Sequence, residues 1–273
     1  MNFSPAVAGS GYSGWMTLKR SLPVQIKAMV NSAEIRRDED YFRAKIGSVK
    51  TADDLVNDRR LLRVALTAYG LEGDLGSKAF IKKVLSDGTM KTDALANRLS
   101  DKQYQKFSAA FGFGDLSIPR TQISDFADKT LALYRARSFE AAVGQSNGDY
   151  RLALNAEREL ASIAEKSISE DTKWFTILGN TPLKTVLQTA LGLPSSISSQ
   201  DIDRQLALYK DRAESLFGSD SVSQFSSPEK MDKLIKSYVL RSEVAAYDSQ
   251  SASANTVLTM LQQTASLARN RSF

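Results

Sequence analysis

The sequence predicts an all-α, multi-helical protein, and three observations carry that prediction. Apolar residues recur at intervals of three and four along almost the whole chain, the period of an amphipathic helix. No run alternates apolar and polar positions as a half-buried strand would, and no tight turn joins two β-branched stretches. Good N-caps and terminal glycines punctuate the apolar runs at helix-length intervals.

The elements follow in order. Residues 1 to 14, rich in Gly, Ser and Ala, read as a flexible arm. Trp15 leads into a helix with Pro23 in its first turn and Leu22, Ile26, Met29 and Ala33 on one face. Thr51 and Asp54 form a capping-box pair before Leu55 and Val56. Asp58 caps the next helix, whose Leu62, Leu66 and Tyr69 share a face. Gly70 ends it, because a residue without a Cβ enters the left-handed region freely. A helix from Ser77 to Ser86 carries Phe80, Ile81, Val84 and Leu85 and stops at Asp87-Gly88. Ser100 caps a helix that buries Tyr104, Phe107 and Phe111 and stops at Gly112. Ile123, Phe126, Leu131, Tyr134 and Phe139 predict one longer helix from Gln122 to Val143. Asn147-Gly148 breaks it, and Leu152, Ala156, Leu160 and Ile163 continue on the next.

The two halves resemble each other. Leu61 to Leu71 aligns with Leu183 to Leu193 at an offset of 122, with six of eleven residues identical. Leu55-Val56 matches Ile177-Leu178, and the cap Asp58 matches Asn180. Tyr104, Phe107 and Phe111 face Met231, Leu234 and Tyr238 in a second pair of segments, from Ser100 and from Ser227. The expected organisation is an internal duplication giving two similar helical subdomains with helical terminal segments. It comprises an arm and helix at 1–40, repeat A at 41–115, repeat B with an insertion at 120–248, and a helical tail at 249–273. That tail has no acid, and Leu258, Leu261, Ala265 and Ala268 keep a/d spacing in it. It either docks on the body or awaits a partner helix.

The 273-residue chain has no Cys and no His. Disulfides, thiolate nucleophiles, Cys/His zinc sites and His-based triads are therefore excluded. Its 36 basic and 31 acidic residues are interspersed, as in Arg36-Arg37-Asp38-Glu39-Asp40, rather than gathered into a basic stripe. A nucleic-acid surface would need Arg59, Arg60, Arg63, Lys82 and Lys83 on one acid-free face. No stretch reaches the length of a membrane span, and no Sec-type signal is visible at the N-terminus. Cytoplasmic residence and export without disulfides both stay open.

Several motifs could carry chemistry. Gly9, Gly11 and Gly14 match G-x-G-x-x-G, with Glu34 twenty residues on, but the strands of a dinucleotide fold are missing. Ser227-Pro228-Glu229-Lys230 matches S-x-x-K and equally reads as a helix start. Gly70, Gly73 and Gly76 lack the Lys of a phosphate loop. The pairs Asp38/Asp40, Asp53/Asp54, Glu157/Glu159 and Glu170/Asp171 sit in polar stretches or first turns, where solvent and capping place acids. No D-x-D-x-D-G loop is present. The expected catalytic, cofactor-binding and metal residues are therefore none.

From Tyr41-Phe42 through Val49-Lys50-Thr51-Ala52-Asp53-Asp54-Leu55, Asp58-Arg59-Arg60-Leu61-Leu62, Ala68-Tyr69-Gly70-Leu71-Glu72 and Ile81-Lys82-Lys83-Val84-Leu85, the order of pieces matters more than any one of them. With Ala94 to Ser100, Asp101, Tyr104 and Ala110-Phe111-Gly112-Phe113 it resembles an uncharacterised bacterial family, domain of unknown function 1217, found largely in alphaproteobacteria. The second half fits only through the repeat, and a segment around 145 to 170 departs from it. The family has no established activity. Its genes often lie among flagellar genes, so the resemblance implies a part in building or operating the flagellum, and export through a flagellar apparatus becomes one possible route. The leading expectation is a non-enzymatic helical protein with protein partners, flagellar components among them, no nucleic acid and no membrane span. The alternative is an enzyme using carboxylate, Lys or hard-metal chemistry.

Overall fold

Helix α4 (Arg59–Tyr69) organises the chain, because apolar residues cover a wide arc of it and only the face of Arg59, Arg60 and Arg63 is polar. Leu61, Leu62, Val64, Ala65, Leu66 and Ala68 are each at most 2% exposed, so neighbours must cover several of its faces at once. The structure, a computed structural model, describes residues 3–269, with side chains as far as residue 248. Among the described residues there are thirteen α-helices and no strand. The protein is all-α.

Helix α8 (Phe126–Ser146) lies along α4, with α2 (Ala33–Lys45), α3 (Ala52–Asn57) and α7 (Gln103–Phe111) on other sides. Helices α5 (Lys78–Asp87) and α6 (Leu95–Arg98) close that half. After the Asn147 break, α9 (Gly148–Ala164) runs back against α8. Helix α11 (Thr181–Leu191) packs against α9 and the 42-residue α13 (Pro228–Arg269), with α10 (Glu170–Leu178) and α12 (Ile202–Phe217) beside it. The first helix, α1 (Gly11–Val30), lies on α13 and α8. One apolar core runs through all of this, from Trp15 to Val239.

The caps form where the residue types place them. Thr51 and Asp54 make the reciprocal capping box. Asp58 Oδ1 accepts from the backbone N–H groups of Arg60 and Leu61, both at 3.0 Å. Asn180 Oδ1 accepts from Leu183 N–H at 3.2 Å, opening a helix that matches α4 in length, 11 residues each. Gly70 and Gly192 close these two helices at φ 74° and 67°. Leu71 and Leu193 then donate back across the turn to Leu66 and Gln188 at 2.9 Å each. Each glycine also lies under a guanidinium from a neighbouring helix. A Cβ there would come within 3.2 Å of the Arg137 Cζ at Gly70 and 2.7 Å of Arg241 Nη1 at Gly192. The two aligned segments share their capping pattern.

Four expectations need correction. The arm is not free: Phe3 lies against Phe139 with ring centroids 6.3 Å apart, and Gln25 pairs with both backbone groups of Ala6 at 2.8 and 3.0 Å. Helix α1 starts at Gly11, so Pro23 falls inside it rather than in its first turn. The missing N–H is tolerated because Trp15 and Leu18 before the proline and Met29 after it are buried on the same body. Helix α7 starts at Gln103, not after Ser100, and Asp101 Oδ1 takes the Gln103 N–H at 2.8 Å. Helix α8 starts at Phe126, because residues 120–122 form a 3-10 turn pinned by Thr121 Oγ1 to the Val49 carbonyl at 2.6 Å. Ile123 is left 50% exposed. The a/d residues Leu258, Leu261, Ala265 and Ala268 lie outside the described side chains, although the helix itself continues to Arg269.

Gly70→Val and Gly192→Val should each destabilise the fold by about 1–2 kcal/mol, since a β-branched residue pays for the left-handed conformation and meets the guanidinium. Urea denaturation measures this. Unchanged midpoints in both variants would contradict the assigned caps.

Candidate functional site: an ionic cleft and a long terminal helix

The charges that the sequence places on helix faces are drawn inward at two points. At the first, Asp38 of α2 is 2% exposed and receives Arg60 Nε at 2.9 Å, Arg63 Nη2 at 2.7 Å and the Tyr134 hydroxyl at 2.9 Å. Burial, then the Asp38 charge, push the Tyr134 phenol well above its ordinary value. Beside it Glu39 takes two hydrogen bonds from Arg135, at 2.6 and 2.5 Å. Tyr41 donates to Asp58 at 2.7 Å, and Arg60 lies over the Tyr41 ring. These contacts bind α2 to α4 and α8.

The second point lies between α7, α8 and α9. Glu159 accepts from Lys106 at 2.8 Å, Arg137 at 2.9 Å and Arg158 at 2.7 Å. Arg158 also holds Glu140 with Nε at 2.7 Å and Nη2 at 3.1 Å. With its amide oxygen turned to the guanidiniums, Asn155 accepts from Arg137 at 2.7 Å and Arg158 at 3.1 Å. Burial alone would raise the Glu159 carboxyl, but Lys106, Arg158 and Arg137 outweigh it and hold its pKa at about 2. Burial, then the nearby Arg158 charge, lower that of Arg137.

Two clefts flank this cluster and share Arg137 and Gln103. One, of about 220 Å³, adds Glu72, Arg151, Asp101 and the start of α11 to the lining. The other, of about 260 Å³, adds Lys106, Glu159 and Lys166. Chemically the cluster is a set of paired charges, three cations (Lys106, Arg137, Arg158) around two carboxylates (Glu140, Glu159). A general acid would need the opposite, a carboxyl whose pKa is raised. Glu157 is raised by burial, yet Lys19 holds it at 2.6 Å and it lines neither cleft.

The motif residues separate or become structural. Gly9 and Gly11 take positive φ at the start of α1, and Gly14 comes so close to the Gly9 backbone and the Tyr150 hydroxyl that a Cβ would not fit. Tyr150 donates to the Gly11 carbonyl at 2.7 Å. These glycines serve close packing rather than a phosphate. Lys230 reaches the Phe217 carbonyl at the end of α12, while Ser227 precedes α13. Gly73 and Gly76 lie in open surroundings near a 3-10 turn. Among the described residues no group of three or more acids is placed to hold a metal ion.

Asp53 pairs with Lys82 at 2.6 Å, and Asp171 with Lys210 at 2.9 Å. Lys83 pairs with Asp87 at 3.0 Å. With Arg60 and Arg63 bound to Asp38, four of the five cations considered for nucleic acid face a carboxylate, and the acid-free face does not form. Glu170, Lys173 and Ser223 do converge. Lys173, 4% exposed, donates to Glu170 at 2.9 Å, to the Ala164 carbonyl at 3.0 Å and to the Ser223 hydroxyl. Ser223 donates in turn to Glu170 at 2.5 Å. With Lys173 and Ser223 both bound to Glu170, the trio staples α10 to the 3-10 turn at 222–226.

The sequence reading missed the buried ions. Asp38 and Glu159 belong to pairs that the sequence reading assigns to solvent and capping, and Glu39 and Glu140 are not singled out by it. A signal existed: Asn155 and Glu159 repeat at a spacing of four beside the apolar Ala156 and Leu160.

The last feature is α13. Met231, Leu234, Ile235, Tyr238 and Val239 are buried in the body. From Glu243 to Asp248 every residue is exposed, with Val244 at 60% and Tyr247 at 72%. The root is clamped by Tyr238 to Asp149 at 3.0 Å and by Ser10 to Glu243 at 3.3 Å. No described helix is long and apolar enough to cross a membrane.

These features define a class: an all-α protein with a paired ionic interior and a long terminal helix. The chain belongs to the family described as protein of unknown function (DUF1217), whose profile matches residues 68–231. The match runs through residues 145–170 as well. Residues 41–67, counted above toward the resemblance, fall outside the match. The chain is also similar to the X-ray crystal structure of a structural-genomics target from Agrobacterium tumefaciens. The TM-score is 0.70 at 27% identity, over 88% of this chain and 98% of that one. No curated protein matches.

Folded Glu159 lies below its ordinary 4.5, so its stabilisation is full above about pH 4.5 and fades as pH falls toward about 2. The effect is of order 3 kcal/mol. Glu159→Gln should flatten that part of the stability–pH curve in urea titrations, and an unaltered slope would contradict the network. Asp38→Ala should cost about 3 kcal/mol at neutral pH, the low end for a broken buried pair because Arg60 and Arg63 are partly exposed. A loss under 1 kcal/mol in calorimetry would contradict its role.

Proposed function

We propose that this is a non-enzymatic helical protein that works through protein–protein contacts, with the distal part of α13 as its contact arm. The observation that carries this reading is the change along one helix. Its first turns are anchored in the core, and from Glu243 to Asp248 its residues, Val244 and Tyr247 included, are exposed. An isolated helix in water is marginal, because nucleation is costly and few side chains are buried, so a protruding one gains most from a partner. The family resemblance adds the flagellum as the setting. The duplication of residues 51–113 in 173–240 belongs to the same reading, supported by the matching caps at Gly70 and Gly192.

The enzyme alternative has less support. The cleft carboxylate Glu159 is held at about 2 and answered by three cations. Deleting residues 250–273 should leave the body folded, with its melting transition retained, while abolishing association with partner proteins and impairing motility. Full motility and unchanged associations in the deletion would overturn the reading. Loss of the fold itself would instead make the tail part of the core, which overturns it equally.

A further inference from the structure

We propose that the cleft between α7, α8 and α9 binds a small phosphate monoester. The site lies in the helical body, apart from the contact arm, and stands or falls separately from it.

Its charge is unbalanced. The cleft, of about 260 Å³, is lined by four cations: Lys106 of α7, Arg137 of α8, Arg158 of α9 and Lys166 just past the end of α9. Among the described residues that line it, Glu159 is the one carboxylate. Glu140, outside the lining, answers Arg158 at 2.7 Å. Four positive charges thus stand against two negative ones, a surplus of two. Glu72, which lines the neighbouring cleft, does not reduce it, because Arg151 holds it at 3.2 Å. The surplus is felt inside the cluster, where the Arg158 charge adds to burial in lowering the Arg137 pKa. Like charges gathered in a cleft repel one another and focus the field on whatever anion enters.

The cleft also holds donors to spare. Lys106 has three N–H groups and gives one to Glu159 at 2.8 Å, which leaves two. The Lys166 ammonium, the Gln103 amide and the Ser162 hydroxyl line the same cleft without a side-chain partner among the described residues. The three cations that touch Glu159, at 2.7 to 2.9 Å, concentrate their charge about one point. A compact dianion matches that concentration, whereas a dicarboxylate spreads its two charges along a chain. A phosphate monoester carries close to two negative charges near neutrality and presents three acceptor oxygens. Glu159 repels it, but is outnumbered. The rest of the lining, Ala68, Leu133, Ile163 and the Tyr69 ring, is largely apolar and gives the carbon part of an ester a surface to lie on. The volume suits a phosphate with a short chain or a single ring.

Equilibrium dialysis of the full chain against phenyl phosphate tests the site. The protein should retain phenyl phosphate, and more tightly than inorganic phosphate, which lacks the apolar part, or benzoate, which carries a single charge. Lys166 is exposed and bonded to no side chain, so Lys166→Ala should keep the melting transition. It should weaken phenyl phosphate by about tenfold or more, the worth of one charge-assisted hydrogen bond. Lys91→Ala, at an exposed lysine outside the cleft, should bind as the unaltered protein does. No retention at millimolar phenyl phosphate would overturn the site. Equal weakening by Lys91→Ala would overturn it too, since the ligand would then be drawn by the basic surface at large. Benzoate bound as tightly would overturn the dianion, and inorganic phosphate bound as tightly would overturn the ester.

Discussion

Helix α8 can lie along α4 only because its charges are answered inside the fold. It brings Tyr134, Arg135, Arg137 and Glu140 to surfaces that other helices cover, and an unanswered charge there would cost several kcal/mol. Asp38 and Glu39 of α2 take the first two. Glu159 and Arg158 of α9 take the others. The sequence positions of α2, α8 and α9 are thereby locked to one another in register as well as in contact. Arg137 adds a further link, since its guanidinium also covers the glycine that ends α4. Hydrophobic burial supplies the bulk of the stabilisation, but it is non-directional, and these ions fix which faces meet.

The same network explains how the cleft chemistry reads. Two small clefts border the cluster, and an acid such as Glu159 next to a cavity would draw attention as a catalytic candidate. Its environment points elsewhere. Three cations surround it, so the proton is lost far below neutrality, and the group neither donates nor accepts a proton where a general acid or base must. Lys173 and Ser223 follow the same logic: a nucleophile and an amine stand together, with the amine already engaged by Glu170 and Ala164.

The parts of the fold legible in the sequence are those governed by local chemistry. Thr51, Asp58, Asn147 and Asn180 cap because their short side chains reach nearby N–H groups, and Gly70 and Gly192 turn because they lack a Cβ. The errors arise where distant residues decide. Pro23 sits within α1 because burial on both sides of it outweighs one lost hydrogen bond, and Ile123 is excluded from α8 because Thr121 is tied to Val49, 72 residues away. The glycine arm looks flexible until Tyr150 and Gln25 are brought to it. Buried acids were hardest to see, since a charged residue on a helix face reads as solvated until its partner is known. For the site, the a/d pattern of the tail was visible, whereas the clamp at its root, from Tyr238, Asp149, Ser10 and Glu243, was not.

Helix α13 changes character along one axis: its first turns complete the core beside α11 and α9, and from Glu243 to Asp248 its residues are exposed. Hydrogen exchange along this helix, followed as a function of protein concentration, tests that division most directly. The account predicts strong protection from Met231 to Ser242 and weak protection from Val244 to Arg269 in the protein alone, at every concentration at which no partner is added. Strong protection of the whole helix at the lowest concentration would place the distal part on the body and contradict the account.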